Sequence, residues 1–479
     1  MKKNKDKGLG IDAEKDEFGD RYTQILLKAE LIDYSPVSGC YILRPRAYAM
    51  WEKVQDYFNR LIKKDGVKNV YFPLFIPESL LNKEKEHVKG FSPEVAWVTH
   101  AGNSELKEKL AIRPTSETIM YSAFSKWIRS WRDLPLRLNQ WANVVRWEFK
   151  HPLPLLRSRE FLWQEGHSVF ALQNEADEEV YKIREFYEDV FKNVYAVPVI
   201  KGRKTEKEKF AGAEYTLSIE VFLPSGKAVQ GATTHNLGQN FSKSFDITFL
   251  GKNEKKSYPF QTSWGLSTRS IGIAIMVHSD NKGLVLSPRI AETQIVIVPI
   301  FTEENKKEML GAAEEIKSKL NNYSVEIDTS DKTPGFKFND SELKGIPIRI
   351  EIGKKDLDKN EVTIFRRDTL KREGVKIGNL ADTIRKLIDD IHNNLYNKAE
   401  KFLEDNTIFA NDITKLKKSI SEKKLALTEW CGDEKCEEHI KSETGGAKII
   451  CINEELKPKK NCVYCKKKAK YVVYVAKSY

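Results

Sequence analysis

With 479 residues, the chain is too long for one compact core and implies two to four domains. Hydrophobic residues make up 40% of it, enough for packed globular structure and too many for a disordered polymer. A formal charge of +11 permits a polyanionic partner, but 69 acidic residues are intermixed with the basic ones, so charge alone neither requires nor excludes nucleic acid.

The first twenty residues are charged and lack an apolar centre, so they read as neither a signal peptide nor an anchor. No apolar run approaches the ~20 residues needed to span a bilayer. Five of the six cysteines fall after position 430, unlike the even spread of a secreted disulfide scaffold. A soluble cytosolic protein with no appended N-terminal module is expected.

In chain order, Pro45 opens and Asp65-Gly66 closes a stretch in which Ala47, Met50, Trp51, Val54, Phe58, Leu61 and Ile62 keep helical spacing. NVYFPLFIP follows as a strand whose two prolines suit an edge or an interface. The segment AIRPTSETIMYSAF carries Thr115 and Glu117. Its hydroxyls after Pro114 also read as an ordinary helix start with a Ser or Thr cap.

Val144 to His167 runs VVRWEFKHPLPLLRSREFLWQEGH. Strand residues two apart share a face, so Arg146 and Glu148 are expected to project together. The first is a cationic fork for phosphate or carboxylate, the second an acceptor for an amine. A loop with Arg157 and Arg159 leads to an aromatic return strand. Phe161 and Trp163, alternating along it, offer a flat apolar wall, and core packing is the competing reading.

KGRKTEKEKFAGAEYT at 201–216 is polar and lysine-rich, suiting a mobile lid or a plain exposed loop. From 212 to 250, β-branched runs around a PSGK turn indicate antiparallel sheet. In SWGLSTRSIGIAIMVHSD, Gly265 permits close backbone approach, and Arg269 sits where an apolar helix begins, which makes an anion site.

After Pro288, TQIVIVPIF, YSVEIDTS, IPIRIEIG and EVTIFRRD read as strands and 304–321 as a helix, giving a separate α/β domain. An amphipathic helix from about Leu380 to Glu404 leads to the last unit. There Cys431-x4-Cys436 and Cys462-x2-Cys465 can close a tetrahedral thiolate shell around zinc. Disulfides compete, opposed by a reducing compartment. Cys40 and Cys451 are left as free, buried thiols.

The 45–66 helix with its strand, the VVRWEF…WQEGH hairpin and SWGLSTR resemble motifs 1, 2 and 3 of the class II aminoacyl-tRNA synthetases. RPTSE and the cysteine quartet narrow the resemblance to the prolyl enzymes of eukaryotic/archaeal type, over about Tyr22 to Tyr479. The resemblance implies an α+β class II catalytic domain at 1–289, an antiparallel sheet flanked by helices. An α/β anticodon-binding domain at 290–400 and a small zinc-binding α+β domain at 401–479 would follow.

It also implies ATP-dependent activation of L-proline to prolyl-adenylate and transfer to the 3′ end of tRNA(Pro), with AMP and pyrophosphate as products. ATP, Mg²⁺ and a structural Zn²⁺ would be bound, and motif 1 would form a homodimer. Thr115 and Glu117 would take proline's secondary ammonium. Arg146, the catalytic residue, would take both its carboxylate and the α-phosphate, and Phe161, Trp163, His235 and Ser267 would line the pocket. Glu148 would meet the adenine amine, with Arg157, Gln230, Thr233 and Arg269 on the rest of ATP.

Near the anticodon the resemblance suggests Arg349, Glu351 and Lys354, in TPGFKFNDSELKGIPIRIEIGKKDL, where Ser341 replaces a frequent aromatic. The 201–216 segment aligns with a loop that orders over proline, and the terminal tyrosine with a C-terminus that folds back to the active site. Only about a hundred residues separate motifs 2 and 3, so no editing domain is expected there. A sibling synthetase for threonine, glycine or serine would change Thr115, Glu117, Phe161 and Trp163. An inactive paralogue would lose Arg146 or Arg269, and a structural zinc protein accounts only for the last fifty residues.

Overall fold

A computed structural model describes residues 11, 18–87, 94–148 and 151–479, without the side chains of 83–87. Most of the charged N-terminal segment, read above as neither signal nor anchor, lies outside the described residues, as do Phe149 and Lys150 of the hairpin.

The helical spacing after Pro45 forms the helix Pro45–Lys64, with proline in its first turn and Ala47, Met50, Trp51, Val54, Phe58 and Ile62 buried. Gly66 adopts φ +88° just past its end, a left-handed conformation that glycine takes without a Cβ clash. NVYFPLFIP is not one strand. Lys68–Asn69 pairs in parallel with Leu136–Val145, whereas Phe75–Pro77 joins a different sheet with Trp97–Ala101 and Ser104–Ile112. Pro73 has no amide to continue a ladder, and the Phe72 amide donates to the Gln140 side chain instead.

The central sheet runs in the order 68–69, 136–145, 160–170, 260–267, 227–238, 215–222, 200–203, with antiparallel pairing from the second strand onward. The helices Pro45–Lys64 and Gln173–Asn193 pack together behind it. There Phe58 stacks on Tyr187 at 5.2 Å and meets Trp264 edge-on at 6.1 Å.

The short strand Ile200–Arg203 does not end the sheet. Lys448–Asn453, Tyr471–Ser478, Leu425–Trp430 and Thr407–Phe409 extend it to eleven strands, through the pair Ile452↔Arg203. The strand Tyr471–Ser478 also pairs in parallel with Lys227–Gly238 of the central sheet, Lys227 opposite Lys477 and Ala228 opposite Ser478. Edge backbone that would otherwise need solvent or a partner is thus paired.

Between these parts lies a five-stranded sheet in the order Val325–Ile327, Ile295–Pro299, Ile348–Ile352, Glu361–Arg366, Arg372–Lys376. Its first three strands are parallel and its last two antiparallel. The helix Leu380–Asp405 contributes Leu380, Ile384, Ile391 and Leu395 to its core. Among the described residues, no helix is long and apolar enough to cross a membrane.

Candidate active site

Three neighbouring strands carry the site on one face. Glu160–Phe170 and Phe260–Ser267 align Trp163 with Ser267, Glu165 with Gly265 and His167 with Ser263. On Lys227–Gly238, Thr233 lies opposite Gly265 and His235 opposite Ser263. Because residues two apart share a face, this register sets a grid of side chains against a cavity of about 250 Å³. The intervening Gln164 and Trp264 belong to the other, core-facing side and are buried. A Cβ on Gly166 would lie 2.0 Å from the Trp264 ring, so glycine is required there.

Thr115, Glu117, Arg146, Phe161, Trp163, Gln230, Thr233, His235, Ser267 and Arg269 all line this cavity. Glu117 opens the helix Glu117–Trp127 and accepts a hydrogen bond from the Thr115 hydroxyl. The simple capping reading does not hold. Ser116 makes no side-chain cap, and its amide and hydroxyl both donate to the Glu165 carboxylate.

Arg146 and Glu148 do not share a strand face. The strand ends at Val145, the Trp147 amide donates to Glu94 O, and residues 147–148 form a turn. Arg146 enters the cavity, donating from Nε to Pro114 O at 2.9 Å, with its guanidinium 5.5 Å and 5.2 Å from the ring centres of Phe161 and Trp163. Glu148 is exposed.

A second chamber of about 210 Å³ shares Glu208, Gln230 and Arg269 with the first. Arg157, Lys204, Lys448 and the terminal Tyr479 line it, with Glu220. Arg269 starts the helix Arg269–His278 and donates from Nε to Leu156 O at 3.0 Å. Burial, then the charges of Arg146 and Arg157, pushes its guanidinium down to about 10. Cations crowded this way at a helix N-terminus are an arrangement suited to binding an anion.

Sequence reasoning missed Glu165 and His167. Both are buried on the cavity wall. His167 Nε2 lies 3.2 Å from Glu165, and Nδ1 lies 3.0 Å from the Tyr121 hydroxyl. Burial opposes the imidazolium, but the Glu165 hydrogen bond and the charges of Glu117 and Glu165 outweigh it and raise its pKa. The period-two run Trp163, Glu165, His167 was the available signal. His235, hydrogen-bonded to the Thr216 hydroxyl at 2.9 Å, is instead held neutral, its pKa lowered to about 3 by burial and then by His167 and Arg146.

Elsewhere the placements differ. Arg349 lies in the core of the five-stranded domain, between Phe338 at 4.2 Å and Phe365 at 4.0 Å. It donates to Glu351, Ser341 Oγ and Phe338 O. Its donors are spent inside the protein, and Glu351 is buried beside it. The Ser341 hydroxyl accepts from Arg349 at 3.0 Å and donates to Phe338 O at 2.8 Å. Lys354 is exposed and paired with Glu308 and Asp358. Arg372, half exposed, bonds Glu351 at 3.2 Å and extends the stack toward solvent.

The sulfurs of Cys431, Cys436, Cys462 and Cys465 lie within 4.8 Å of one another, Cys431 and Cys465 at 3.7 Å. A disulfide needs about 2.05 Å, whereas the edge of a tetrahedron with ~2.3 Å metal–sulfur bonds is about 3.8 Å. Cys451 is fully buried and Cys40 half-buried.

Residues 97–278 match the family described as the class II tRNA synthetase core domain (G, H, P, S and T), and 294–387 match an anticodon binding domain. Sheet, hairpin and arginine-headed helix are thus those of a class II aminoacyl-tRNA synthetase. Residues 413–479 match the C-terminal family of prolyl-tRNA synthetases. The proline–tRNA ligase of Alkaliphilus oremlandii is 48% identical over 97% of this chain and 96% of its own length. A putative proline–tRNA ligase of Saccharomyces cerevisiae is 45% identical over 98% of this chain and 73% of its own. The crystal structure of the Cryptosporidium parvum prolyl-tRNA synthetase, complexed with halofuginone and AMPPNP, superposes with a TM-score of 0.94 at 46% identity, over 98% of this chain and 100% of that one. The chain belongs to the proline–tRNA ligases.

Proposed function

We propose that the two joined chambers activate L-proline with ATP and pass it to the 3′ end of tRNA(Pro). The observation that carries this reading is an acceptor pair, Thr115 and Glu117, facing one chamber while four cations line the other. Proline's ammonium donates to Glu117 and to Thr115, whose hydroxyl rotates to accept. Its ring lies against Phe161 and Trp163, with His235 opposite and Ser267 lining the pocket beside Trp163. Arg146 grips the carboxylate and the α-phosphate, Arg157 and Arg269 take the outer phosphates, and Gln230 and Thr233 border the nucleotide. Glu148, exposed beyond the lining of both chambers, accepts from the adenine amine.

A carboxylate oxygen forms a bond to the α-phosphorus as the bond to pyrophosphate breaks, giving prolyl-adenylate. A terminal ribose hydroxyl of the tRNA then attacks the acyl carbon, AMP leaves, and the hydroxyl proton passes to phosphate or solvent. Positioning and charge neutralisation carry the first step. Mg²⁺ would supply further positive charge on the phosphate oxygens, because Glu208 and Glu220 along this chamber are already paired with Lys448 and Lys204.

Between the hairpin and the arginine-headed helix, 171–259 is taken up by the helix Gln173–Asn193 and by sheet strands, which supports a chain without an inserted editing domain. Alanine, which loses only about 1–3 kcal/mol of contact per missing methylene, would then be corrected elsewhere. The 401–479 unit would hold one structural zinc on Cys431, Cys436, Cys462 and Cys465, a donor set that leaves no open position. Unbridged thiols suit a reducing cytoplasm. Exposed Tyr34, Tyr71, Phe75 and Trp97 near the first motif support a homodimer. Anticodon contacts fall to Lys354 and the solvent side of Arg372.

The test is amino-acid-dependent ATP–pyrophosphate exchange, comparing proline with alanine, cysteine, threonine and glycine. Strong exchange with proline is expected. Exchange with none would leave an inactive paralogue, and zinc analysis returning no metal per chain would remove the zinc assignment.

A further inference from the structure

The 201–216 lid is tied to the cysteine-bearing unit by side chains far apart in sequence. Thr205 is buried, and its hydroxyl donates to Glu437 Oε1 at 3.0 Å. Glu437 follows Cys436 on the helix Glu434–Glu443; it is buried too, and its other oxygen has no partner among the described residues. Lys207 pairs with Glu438 at 2.9 Å, and Glu208 with Lys448 at 2.9 Å. The Thr205 carbonyl accepts the amides of Glu208 and Lys209, so this residue also sets the turn that follows. Two residues of that turn and its exit, Glu208 and Phe210, form part of the wall of the substrate cavity, Phe210 lying 4.7 Å from the His235 ring.

We infer that Thr205 and Glu437 form a clasp by which the C-terminal unit positions the lid wall of the proline pocket. Both are positioning residues, acting on substrate through Glu208 and Phe210. The physical warrant is that a lid gains affinity for its ligand when its ordering cost is met before binding. A buried hydrogen bond to a carboxylate is strong enough to hold it in this arrangement against the cavity. The bare loop that the lysine-rich sequence suggests would have no such hold. The inference rests on the proposed proline pocket.

The test uses the full chain, four single variants and the Thr205→Val/Glu437→Ala double variant. Thr205→Val, nearly isosteric, and Glu437→Ala break the clasp; Thr205→Ser and Glu437→Gln keep a donor and an acceptor. The expected result is a proline KM in exchange raised roughly 5- to 30-fold in the first two, with the ATP KM within about twofold and recovery in the conservative pair. The double variant should be no worse than the worse single one, because the two groups act as one contact. Amide hydrogen exchange across 204–212 should quicken in Thr205→Val while Pro45–Lys64 stays protected, a readout independent of activity. Wild-type proline KM and unchanged lid exchange in both breaking variants would overturn the clasp. So would equal losses for proline and ATP together with a general fall in melting temperature. Absence of proline-dependent exchange in the wild type would instead sink the pocket assignment, leaving hydrogen exchange to decide the clasp.

Discussion

Replacing Arg146 with Gln separates what this side chain does for folding from what it does for chemistry. Within the protein it makes one hydrogen bond to Pro114 O and faces two aromatic rings, worth about 1 kcal/mol for the bond and ~0.5–1 for each ring. Against that stands Arg269, whose guanidinium is driven down to about 10 by burial and by the charges of Arg146 and Arg157. Removing one charge relieves part of that repulsion. The two effects oppose, so the net loss in stability should be only about 1–2 kcal/mol, a shift of a few degrees in a chain this long.

Activity should respond very differently. A charged donor aimed at developing negative charge is worth ~2.7–4 kcal/mol, which at about 1.4 kcal/mol per tenfold is 10²–10³ in kcat/KM. The assay is proline-dependent pyrophosphate exchange, paired with a circular-dichroism melt. Exchange within tenfold of wild type would refute the role of Arg146. A melting temperature more than roughly 8 °C lower would refute the balance of opposing terms.

Glu117→Gln removes the carboxylate but keeps its shape, and should raise the proline KM at least ~10-fold with little change in the ATP KM; equal effects on both substrates would count against an ammonium site. Stability should also fall in mild acid. His278, which shares a hydrogen bond with Tyr195 O, is held at about 4 chiefly by burial, so the unfolded chain takes up a proton near pH 6.5 that the folded one refuses. Its contribution is complete above about pH 6.5 and is lost as pH falls toward 4, on the order of 3 kcal/mol. His278→Asn should flatten the melting-temperature profile between pH 6.5 and 4.5, and an unchanged slope would discard this origin. Deleting Lys477 to Tyr479 removes the parallel pairing with Lys227 and Ala228 and the Tyr479 wall of the second chamber. Turnover should drop more than melting temperature does, and wild-type turnover would rule out a catalytic part for the C-terminus.

The sequence by itself determined the features that depend on neighbours a few residues away. The spacing from Ala47 to Ile62 specified a helix and its buried stripe, because each turn brings i, i+3 and i+4 to one face. The strands of the 290–400 region and the long helix from Leu380 were readable for the same reason, and the two cysteine pairs announced a cluster through their spacing alone. RPTSE, the hairpin and SWGLSTR named the residues that meet in the cavity.

Only the tertiary structure decided which side chains stand beside them. Glu165 and His167 enter the site because strand register sets them against Gly265 and Ser263, and register is a property of pairs of strands, not of either alone. Glu148 left the expected face because the ladder stops at Val145, and Arg349 turned inward because two phenylalanines and Glu351 enclose it. The bond from Thr205 to Glu437 joins positions 232 residues apart. No local periodicity encodes such a contact, since it exists only once the last strands have been added to the edge of the catalytic sheet.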